Sequence, residues 1–473
     1  MRHETVRIEV EPVWYRPGRQ VRVLLISTYP PRLCGIAKFA EQLAGRLARC
    51  PGFAAPRVMP LADADTMGLY GGPPIVMALD QGRLSDSLQT ASNYIKSLDV
   101  DVVYVQHEFS FFDGGEHLVA GTLRETGKPV VVTFHTVYDN PPPDLVERVR
   151  SLFVVSNTAT VPSRVARALL VTRYGADANR VHTIPLGMPD VDLLPSGPYK
   201  AMLGLEGRAV LTTLGFMGRN KGVERVLQAM PHMLRRHPNT VYMVIGETHP
   251  ATRSREQESY REELLGRSRE LGLDQHVIFI NRCVPDSELL RYVMATDIYL
   301  APYLDRTQVS SYTLNYAMGS GKAVIATPTM YAREVLGGGR GILSDFDDPG
   351  ALAEVISSLL DNPAALAALS RNAYATGKAF HWNSVICRYA EVLARACPPM
   401  MGSPGERWFV AHPEPEGNSG RTCAVARQDQ PISGEARCHT VASGRTPAAT
   451  WARNSTAREC RRAPSPQRQE PER

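Results

Sequence analysis

The feature that most constrains the fold of this chain is an alternation of short, continuous apolar runs with longer stretches of helical periodicity. The runs are rich in valine, isoleucine and leucine, and they lack the polar alternation of a strand with one wet face. A strand of this kind is buried on both faces, as in a parallel sheet covered by helices on each side. The pattern therefore predicts an α/β architecture with doubly wound parallel sheets.

The apolar runs fall into two series. The first series occupies residues 21–28, 74–80, 101–107, 129–135, 152–157 and 181–187. The second occupies residues 209–216, 241–247, 276–282, 298–303, 323–328 and 341–346. A polar stretch broken by proline and glycine separates them, which is typical of a linker between domains. The sequence thus predicts two Rossmann-like domains that meet near residues 190–200.

The predicted boundaries follow from changes in this pattern. Residues 351–396 have helical periodicity, and beyond residue 397 the chain is rich in Pro, Ser, Arg, Glu and Gln without a sustained apolar period. Such a tail cannot bury enough apolar surface to offset its ordering entropy. The predicted parts are an N-terminal extension 1–20, a first Rossmann-like domain 21–190, a second 191–375, a C-terminal helix 376–397 and a disordered tail 398–473.

Composition excludes several classes of function. The chain has 473 residues, 43% of them hydrophobic, and a net charge of +5. Acidic and basic residues interleave through the two domains, so nucleic acid is not an expected partner. No apolar run reaches the roughly 18 to 20 residues of a bilayer span, and residues 1–20 lack a signal peptide's apolar stretch. We therefore expect a cytoplasmic chain. We also expect no metal site, because the eight cysteines include no C-x-x-C pair.

Ligands bind doubly wound sheets beyond the carboxyl ends of the strands, so residues that follow strands are the candidates. In the first domain, Gly35 lies in the turn after the first strand, where a helix opens at residue 36. His107 and His135 each end a strand, where an imidazole can donate to a sugar hydroxyl or move a proton near neutral pH. A structural role is the alternative for each histidine.

In the second domain, the segment GFMGRNKGVERVLQA places Gly215, Arg219 and Lys221 immediately before an amphipathic helix. A lysine at a helix N-terminus adds to the helix dipole and can hold a diphosphate as leaving-group charge develops. The alternative is a solvated lysine. The neighbouring glycines favour the functional interpretation.

A polar loop leads into a small-residue helix predicted over residues 314–320. Its amides could bind phosphate and its hydroxyls could bind sugar or ribose. The candidate residues of this loop and the helix start are Gln308, Ser310, Ser311, Tyr312, Thr313 and Leu314. The following GSGKA is not a P-loop, because Tyr316 replaces the first Walker glycine and Ala323 replaces the Ser or Thr that binds magnesium. For Glu334, at a predicted helix start, a ligand role and a structural role are both open.

Together these landmarks, over residues 21–396, resemble the retaining glycosyltransferases of family four, of the glycogen-synthase and phosphatidylinositol-mannosyltransferase type. The matching features are Gly35, His135, IPLG at 184–187, Gly215 with Lys221, DIYLAPY at 297–303, GKAVIATP at 321–328, and Glu334 with the following GRGIL. The resemblance implies the GT-B fold, in which two Rossmann-like domains face a cleft and a C-terminal helix returns to the first domain. It also implies transfer of a hexose from a GDP- or UDP-linked donor to an acceptor hydroxyl, with retention and without a metal or cofactor.

The residue patterns and the resemblance together give the candidates their expected roles. His135 and Lys221 are the expected catalytic residues, and Gly35 and His107 lie on the acceptor side. The expected donor site comprises Gly215, Arg219, Lys221, Arg282, Gln308, Ser310, Ser311, Thr313, Leu314, Tyr316 and Glu334. The chain departs from the family pattern, because Gln308 and Tyr316 replace two glutamates eight positions apart and Phe216 replaces an arginine.

We interpret these departures as a bacterial branch with a rebuilt donor pocket, in which Arg219 or Arg282 supplies the missing guanidinium. Two alternatives stay open at this point: a non-catalytic sugar-nucleotide-binding homologue and a GT-B-like sugar-nucleotide epimerase. The expected partners are a nucleotide-sugar donor and a glycan or small-molecule acceptor. The sequence leaves open peripheral membrane contact and the oligomeric state.

Overall fold

The computed structural model describes residues 14–15, 20–248, 258–397 and 409–410, and the structural statements below refer to these residues. The predicted N-terminal extension and the predicted disordered tail lie almost wholly outside the described residues.

Seven parallel strands form the first sheet in the order β4-β3-β2-β5-β6-β7-β8. The strands are β2 (Val23–Ser27), β3 (Arg57–Ala62), β4 (Leu79–Asp80), β5 (Val102–His107), β6 (Val130–Phe134), β7 (Thr158–Val161) and β8 (Val181–Thr183). The helices of this half are α1 (Gly35–Leu47), α2 (Leu84–Ser97), α3 (Phe109–Phe112), α4 (Glu116–Thr126), α5 (Pro143–Val155) and α6 (Arg164–Tyr174), with 3₁₀ turns at Gln81–Arg83 and Ala178–Arg180. Separately, β1 (Trp14–Tyr15) pairs antiparallel with β15 (Phe409–Val410).

Six parallel strands form the second sheet in the order β11-β10-β9-β12-β13-β14. They are β9 (Ala209–Leu214), β10 (Thr240–Ile245), β11 (Val277–Ile280), β12 (Ile298–Ala301), β13 (Ala323–Ala326) and β14 (Ile342–Leu343). The helices are α7 (Gly197–Met202), α8 (Val223–Leu234), α9 (Ser259–Glu270), α10 (Asp286–Ala295), α11 (Tyr312–Gly319), α12 (Met330–Leu336), α13 (Pro349–Leu360), α14 (Pro363–Gly377) and α15 (Trp382–Ala396), with 3₁₀ turns at Arg219–Lys221 and Lys378–Phe380. The two parallel sheets confirm the predicted pair of Rossmann-like domains.

Three predictions about strands were wrong, one of which missed β7 (Thr158–Val161), since the predicted run ends at residue 157. Residues 152–157 end helix α5 instead of forming a strand, because Val149, Leu152 and Phe153 supply the buried face of a helix at spacings of three and one. The strand β3 was missed, because Pro60 interrupts its apolar pattern and proline is disfavoured inside sheets.

The last helix, α15, packs on the first sheet and confirms the predicted return. Trp382 is fully buried, and its indole nitrogen donates to the Gln42 side chain of α1 at 3.0 Å. A Cβ on Gly187 would lie 2.4 Å from the Trp382 ring, so only glycine lets the backbone at this position lie against the indole. The chain passes between the two domains twice, near Met188 and near Phe380, and backbone hydrogen bonds join these two segments. The Met188 amide donates to the Phe380 carbonyl, and the Trp382 amide donates to the Met188 carbonyl.

The strand orders define where each sheet can bind a ligand. The chain reverses its direction of winding between β2 and β5 in the first sheet and between β9 and β12 in the second. Such switch points leave a crevice beyond the carboxyl ends of the strands. The predicted residues His135 and Lys221 follow strands at or beside these two places.

Candidate functional site

The loops after β9 and β12 form one corner of the candidate site. The 3₁₀ turn Arg219–Lys221 follows β9 and ends at Gly222, whose φ of 62° is in the left-handed region. A Cβ on Gly222 would collide with the carbonyl oxygen of Pro302, which follows β12. Glycine therefore lets the two loops approach closely and holds Lys221 against the second loop.

The amine of Lys221 lies 4.4 Å from the centre of the Tyr303 ring. A methyl group on Gly215 would lie 3.4 Å from the Lys221 Nζ atom and 3.4 Å from Cγ2 of Thr313. The structure therefore brings three predicted residues, Gly215, Lys221 and Thr313, to one point. Within the described part of the chain, the ammonium group has no carboxylate partner.

The pKa of the Tyr303 phenol indicates the sign of the electrostatic potential at this corner. Burial raises the pKa of Tyr303, but the charge of Lys221, followed by hydrogen bonds with Thr313 at 2.5 Å, Tyr299 and Ser311, outweighs it and holds the pKa below its ordinary value. A phenol ionises more readily only where its surroundings favour negative charge. The corner around Lys221 is therefore electropositive.

Helix α11 begins beside this corner, at Tyr312 and two residues before the predicted start. The N-cap Ser311 accepts a hydrogen bond from the Leu314 amide at 3.2 Å, and the Gln308 side chain donates to the Ser310 carbonyl at 2.7 Å. These bonds fold the predicted loop around a helix N-terminus, where the dipole favours anions. A lysine and a helix N-terminus thus meet at one place, as anion sites in proteins often combine them.

Tyr316 differs from its predicted role on the donor. Its side chain is 1% exposed in the core of the second domain, burial raises its pKa, and its hydroxyl has no hydrogen-bond partner among the described residues. A hydroxyl enclosed in this way does not reach a ribose. At the position where the resemblance leads one to expect a glutamate, Tyr316 contributes volume to the core.

The two arginines expected to supply a guanidinium both contact acidic residues. Arg219 pairs with Glu263 of α9 at 2.8 Å and lies over the Tyr260 ring. Arg282 pairs with Glu288 of α10. Both side chains are about half exposed, so a donor could recruit either by exchanging its partner. Their role in donor binding stays a prediction.

Glu334 links the two domains. Its carboxylate accepts hydrogen bonds from the backbone amides of Arg164 at 3.0 Å and Val165 at 2.8 Å, which are the first two residues of α6. An acidic side chain at a helix N-terminus satisfies unpaired amides and interacts favourably with the dipole. Of its two sequence-based interpretations, the structure shows the structural one.

At the first sheet, His107 ends β5 as predicted but has no exposed surface. Its Nε2 lies 3.2 Å from the carboxylate of Glu116, which Arg148 holds with hydrogen bonds of 2.7 and 2.8 Å. Burial alone would raise the pKa of Glu116, but the hydrogen bonds from His107 and Arg148 outweigh it and hold the pKa at about 2. His107 therefore belongs to a buried ionic cluster and does not face an acceptor.

His135 follows β6 and is 6% exposed, with its Nε2 2.5 Å from Oε1 of Gln106. Burial, followed by the neighbouring His107, lowers the pKa of His135 to about 3. It therefore stays neutral near pH 7 and can hydrogen-bond a hydroxyl, but it does not exchange protons there as predicted. Gly35 begins α1, and a Cβ placed on it would meet no atom within 4 Å, so open space lies before this helix.

Sequence reasoning missed three residues of the site: Tyr303, Gln106 and Asn315. The side chain of Asn315 donates to the Leu186 carbonyl at 3.1 Å and so connects α11 to the segment that leads from the first domain to the second. Tyr303 follows a strand and Gln106 precedes a strand-end histidine, so the strand-end rule could have found both. Nothing local marks Asn315, because its two partners, the Leu186 carbonyl and the Tyr331 hydroxyl, are 129 and 16 residues away.

Two family models match the chain, one over each half. The model described as Glycosyltransferase Family 4 matches residues 34–190, and the one described as Glycosyl transferases group 1 matches residues 199–376.

Two curated proteins are similar over most of their length. D-inositol 3-phosphate glycosyltransferase 1 of Catenulispora acidiphila is 26% identical over 373 residues, which are 74% of this chain and 86% of that protein. The GDP-mannose-dependent alpha-(1-6)-phosphatidylinositol monomannoside mannosyltransferase of Mycolicibacterium smegmatis is 25% identical over 367 residues, 73% of this chain and 91% of that protein.

Solved structures share the fold. HepE of Anabaena in complex with UDP-glucose has a TM-score of 0.61 and 17% identity, covering 79% of this chain and 99% of that chain. Sucrose-phosphate synthase of Thermosynechococcus elongatus has a TM-score of 0.61 and 18% identity, covering 80% of this chain and 99% of that chain. At these identities the likeness establishes the fold alone.

Among the described residues, no group of three or more His, Cys, Asp or Glu side chains could hold a metal ion. Within the same residues, no single helix has both the length and the apolar composition that a membrane crossing requires.

Proposed function

The chain belongs to the family 4 glycosyltransferases with the GT-B fold, and from this membership we propose that it transfers a hexose from a nucleotide sugar to an acceptor hydroxyl. We further propose that the transfer retains the anomeric configuration and needs no metal ion, as the resemblance implies. The names of two relatives favour GDP-mannose as the first donor to test and an inositol-containing polyol as the first acceptor. UDP-glucose is the second donor.

One observation carries this proposal: Lys221 lies in an electropositive corner beside the start of α11. A diphosphate bound there meets the ammonium group and the amides of the first helical turn. Both become more favourable as the glycosidic bond breaks and negative charge gathers on the leaving phosphate. The corner would therefore stabilise the transition state more than the bound donor.

His135 is the second residue with a role in the proposed reaction. Because it stays neutral, it can hydrogen-bond a hydroxyl of the transferred hexose without acting as a general base. In a front-face substitution the leaving phosphate accepts the proton of the acceptor hydroxyl. The chain then needs no protein base, and positioning plus charge stabilisation account for catalysis.

Lys221→Met tests the phosphate site, since methionine keeps an apolar stem and removes the charge. Lys378→Met is the matched control, because Lys378 also lies over a tyrosine ring, that of Tyr374 at 6.0 Å. Calorimetry with GDP-mannose and UDP-glucose measures donor binding, and product formation with myo-inositol phosphate measures transfer.

We expect Lys221→Met to weaken donor binding or transfer by about 10- to 100-fold, since a charge-assisted contact contributes about 1.5–3 kcal/mol. Lys378→Met should behave like the wild type. Wild-type binding and transfer in Lys221→Met would overturn the proposed site. The anomeric coupling constant of the product tests retention, and full activity in excess chelator is expected if no metal takes part.

The matching relatives are named as transferases, which favours transfer over the non-catalytic and epimerase alternatives. A donor converted to its epimer in the absence of acceptor would reopen the second of these.

A further inference from the structure

Gln106 and His135 form a buried pair at the carboxyl edge of the first sheet. Gln106 is 0% exposed and His135 is 6% exposed, and Oε1 of Gln106 lies 2.5 Å from Nε2 of His135. Gln106 lies in β5, and His135 directly follows the neighbouring parallel strand β6, whose Thr133 pairs in register with Gln106. The backbone amide of His135 also donates to the His107 carbonyl at 3.1 Å, which fixes where the imidazole leaves the sheet.

The other half of the Gln106 amide is unsatisfied. Its Nε2 is buried and has no hydrogen-bond partner among the described residues. The hydroxyl of Ser27, at the end of the adjacent strand β2, is likewise buried without a described partner. A buried polar group without a partner costs about 1–3 kcal/mol, so an apolar side chain would suit this position better if packing were its only task. Among the described residues, the Gln106 side chain makes a single hydrogen bond, to His135.

A second contact fixes the plane of the imidazole. The ring of Phe39, from α1, meets His135 edge-on, with ring centres 5.7 Å apart and planes at 82°. Phe39 is itself stacked on Trp382 of the returning helix at 5.2 Å. The imidazole is therefore held between the Gln106 amide and an aromatic cluster that spans α1 and α15. Rotation of the ring would break at least one of these contacts.

The hydrogen bond determines which ring nitrogen carries the proton. In this structure the Gln106 amide turns its oxygen toward the ring, and an amide oxygen only accepts; with this amide orientation Nε2 of His135 carries the proton, and in a neutral imidazole Nδ1 is then an acceptor. Within the described part of the chain, Nδ1 makes no hydrogen bond, and it is not among the fully buried atoms that lack a partner. We infer that Gln106 is a positioning residue that holds His135 in the Nε2–H tautomer and presents Nδ1 as the acceptor for a hydroxyl of the transferred hexose.

This inference rests on the proposed function for the identity of the ligand and on geometry for the tautomer. It adds a direction to the contact: the sugar hydroxyl donates and His135 accepts. A donor that carries hydrogen-bond acceptors alone at that position, such as a deoxyfluoro sugar, then loses this contact, whereas the parent hydroxyl keeps it.

Nitrogen NMR of the protein with labelled histidine tests the tautomer directly, without any substrate. The His135 signals are identified by their loss in His135→Gln, and His107, which bonds to Glu116 instead, serves as an internal control. Gln106→Met removes the acceptor at similar size, and Gln106→Glu retains an acceptor should the methionine variant fold poorly. Thr133→Val is the matched control, because Thr133 loses bonds to Tyr104 and Thr160 on the same buried face but does not touch His135.

We expect the wild type to show His135 in the Nε2–H tautomer from pH 5 to 9. Gln106→Met should show a mixture of tautomers and about tenfold lower kcat/KM for the donor, the effect of one hydrogen bond of about 1.4 kcal/mol. Gln106→Glu should retain the Nε2–H form and raise the pKa of His135, and Thr133→Val should change neither tautomer nor donor kcat/KM.

Two results would overturn the inference: an Nδ1–H tautomer in the wild type, or an unchanged single tautomer in Gln106→Met. If the tautomers behave as expected but His135→Gln turns over the donor at the wild-type rate, the substrate half of the inference fails. That outcome leaves the Lys221 site standing, since Lys221→Met tests it separately.

Discussion

Glu334→Gln tests whether this carboxylate joins the two domains or binds the donor. The Glu334 carboxylate accepts two amide hydrogen bonds, at 3.0 and 2.8 Å, from the start of α6, and its side chain is 15% exposed. Glutamine keeps one acceptor oxygen, loses the charge and turns an NH₂ group toward a backbone N–H. A hydrogen bond to a charged group contributes about 1.5–3 kcal/mol, and a partly buried carboxylate at a helix N-terminus up to about 2 kcal/mol.

We therefore expect Glu334→Gln to lower the free energy of unfolding by about 2–3 kcal/mol. The charged hydrogen bond and the helix-dipole interaction both depend on the same carboxylate charge, so their contributions overlap and do not add in full. Urea unfolding followed by circular dichroism measures this, with slopes compared to exclude a change in cooperativity. Glu354→Gln is the matched control, since Glu354 is 69% exposed and its contact with Arg236 is a surface pair worth about 1 kcal/mol or less. If Glu334→Gln destabilises no more than Glu354→Gln and instead raises the donor KM, the structural interpretation is wrong and Glu334 binds the donor.

Two further predictions concern single buried groups. Tyr316→Phe removes a hydroxyl without a described partner, so we expect unchanged or slightly higher thermal stability and unchanged donor affinity; a loss of more than about 1 kcal/mol, or a raised donor KM, would show that the hydroxyl has a partner. The pKa of Glu116 lies at about 2, below its ordinary value of 4.5, because hydrogen bonds from His107 and Arg148 outweigh its burial. A depressed carboxyl pKa stabilises the fold above about pH 4.5, and this contribution, roughly 3 kcal/mol, is lost as the pH falls toward 2. Acid unfolding of Glu116→Gln should lack this pH-dependent part, and an identical pH profile would count against the buried cluster.

Much of the fold could be predicted because the signals that define it are local. A parallel strand buried on both faces reads as an apolar run wherever it lies, and most of the predicted runs are strands. The exceptions have a physical cause: a helix can bury the same residues as a strand, as Leu152 does in α5, and Pro60 conceals β3. Of the candidate site, Gly215, Lys221 and Thr313 converge as the pattern predicts, because each follows a strand at one switch point.

By itself, the sequence determined the two-domain architecture, the positions of the strand ends and the presence of a lysine at a helix start. Only the tertiary structure decided what faces the cleft and what lies in the core. Tyr316 is enclosed although the sequence predicted it at the donor, and Glu334 reaches amides 170 residues away. His135 acquires its neutral state and its Gln106 partner from a neighbouring strand. Burial and long-range pairing depend on which elements become neighbours, and no local pattern of residues encodes that.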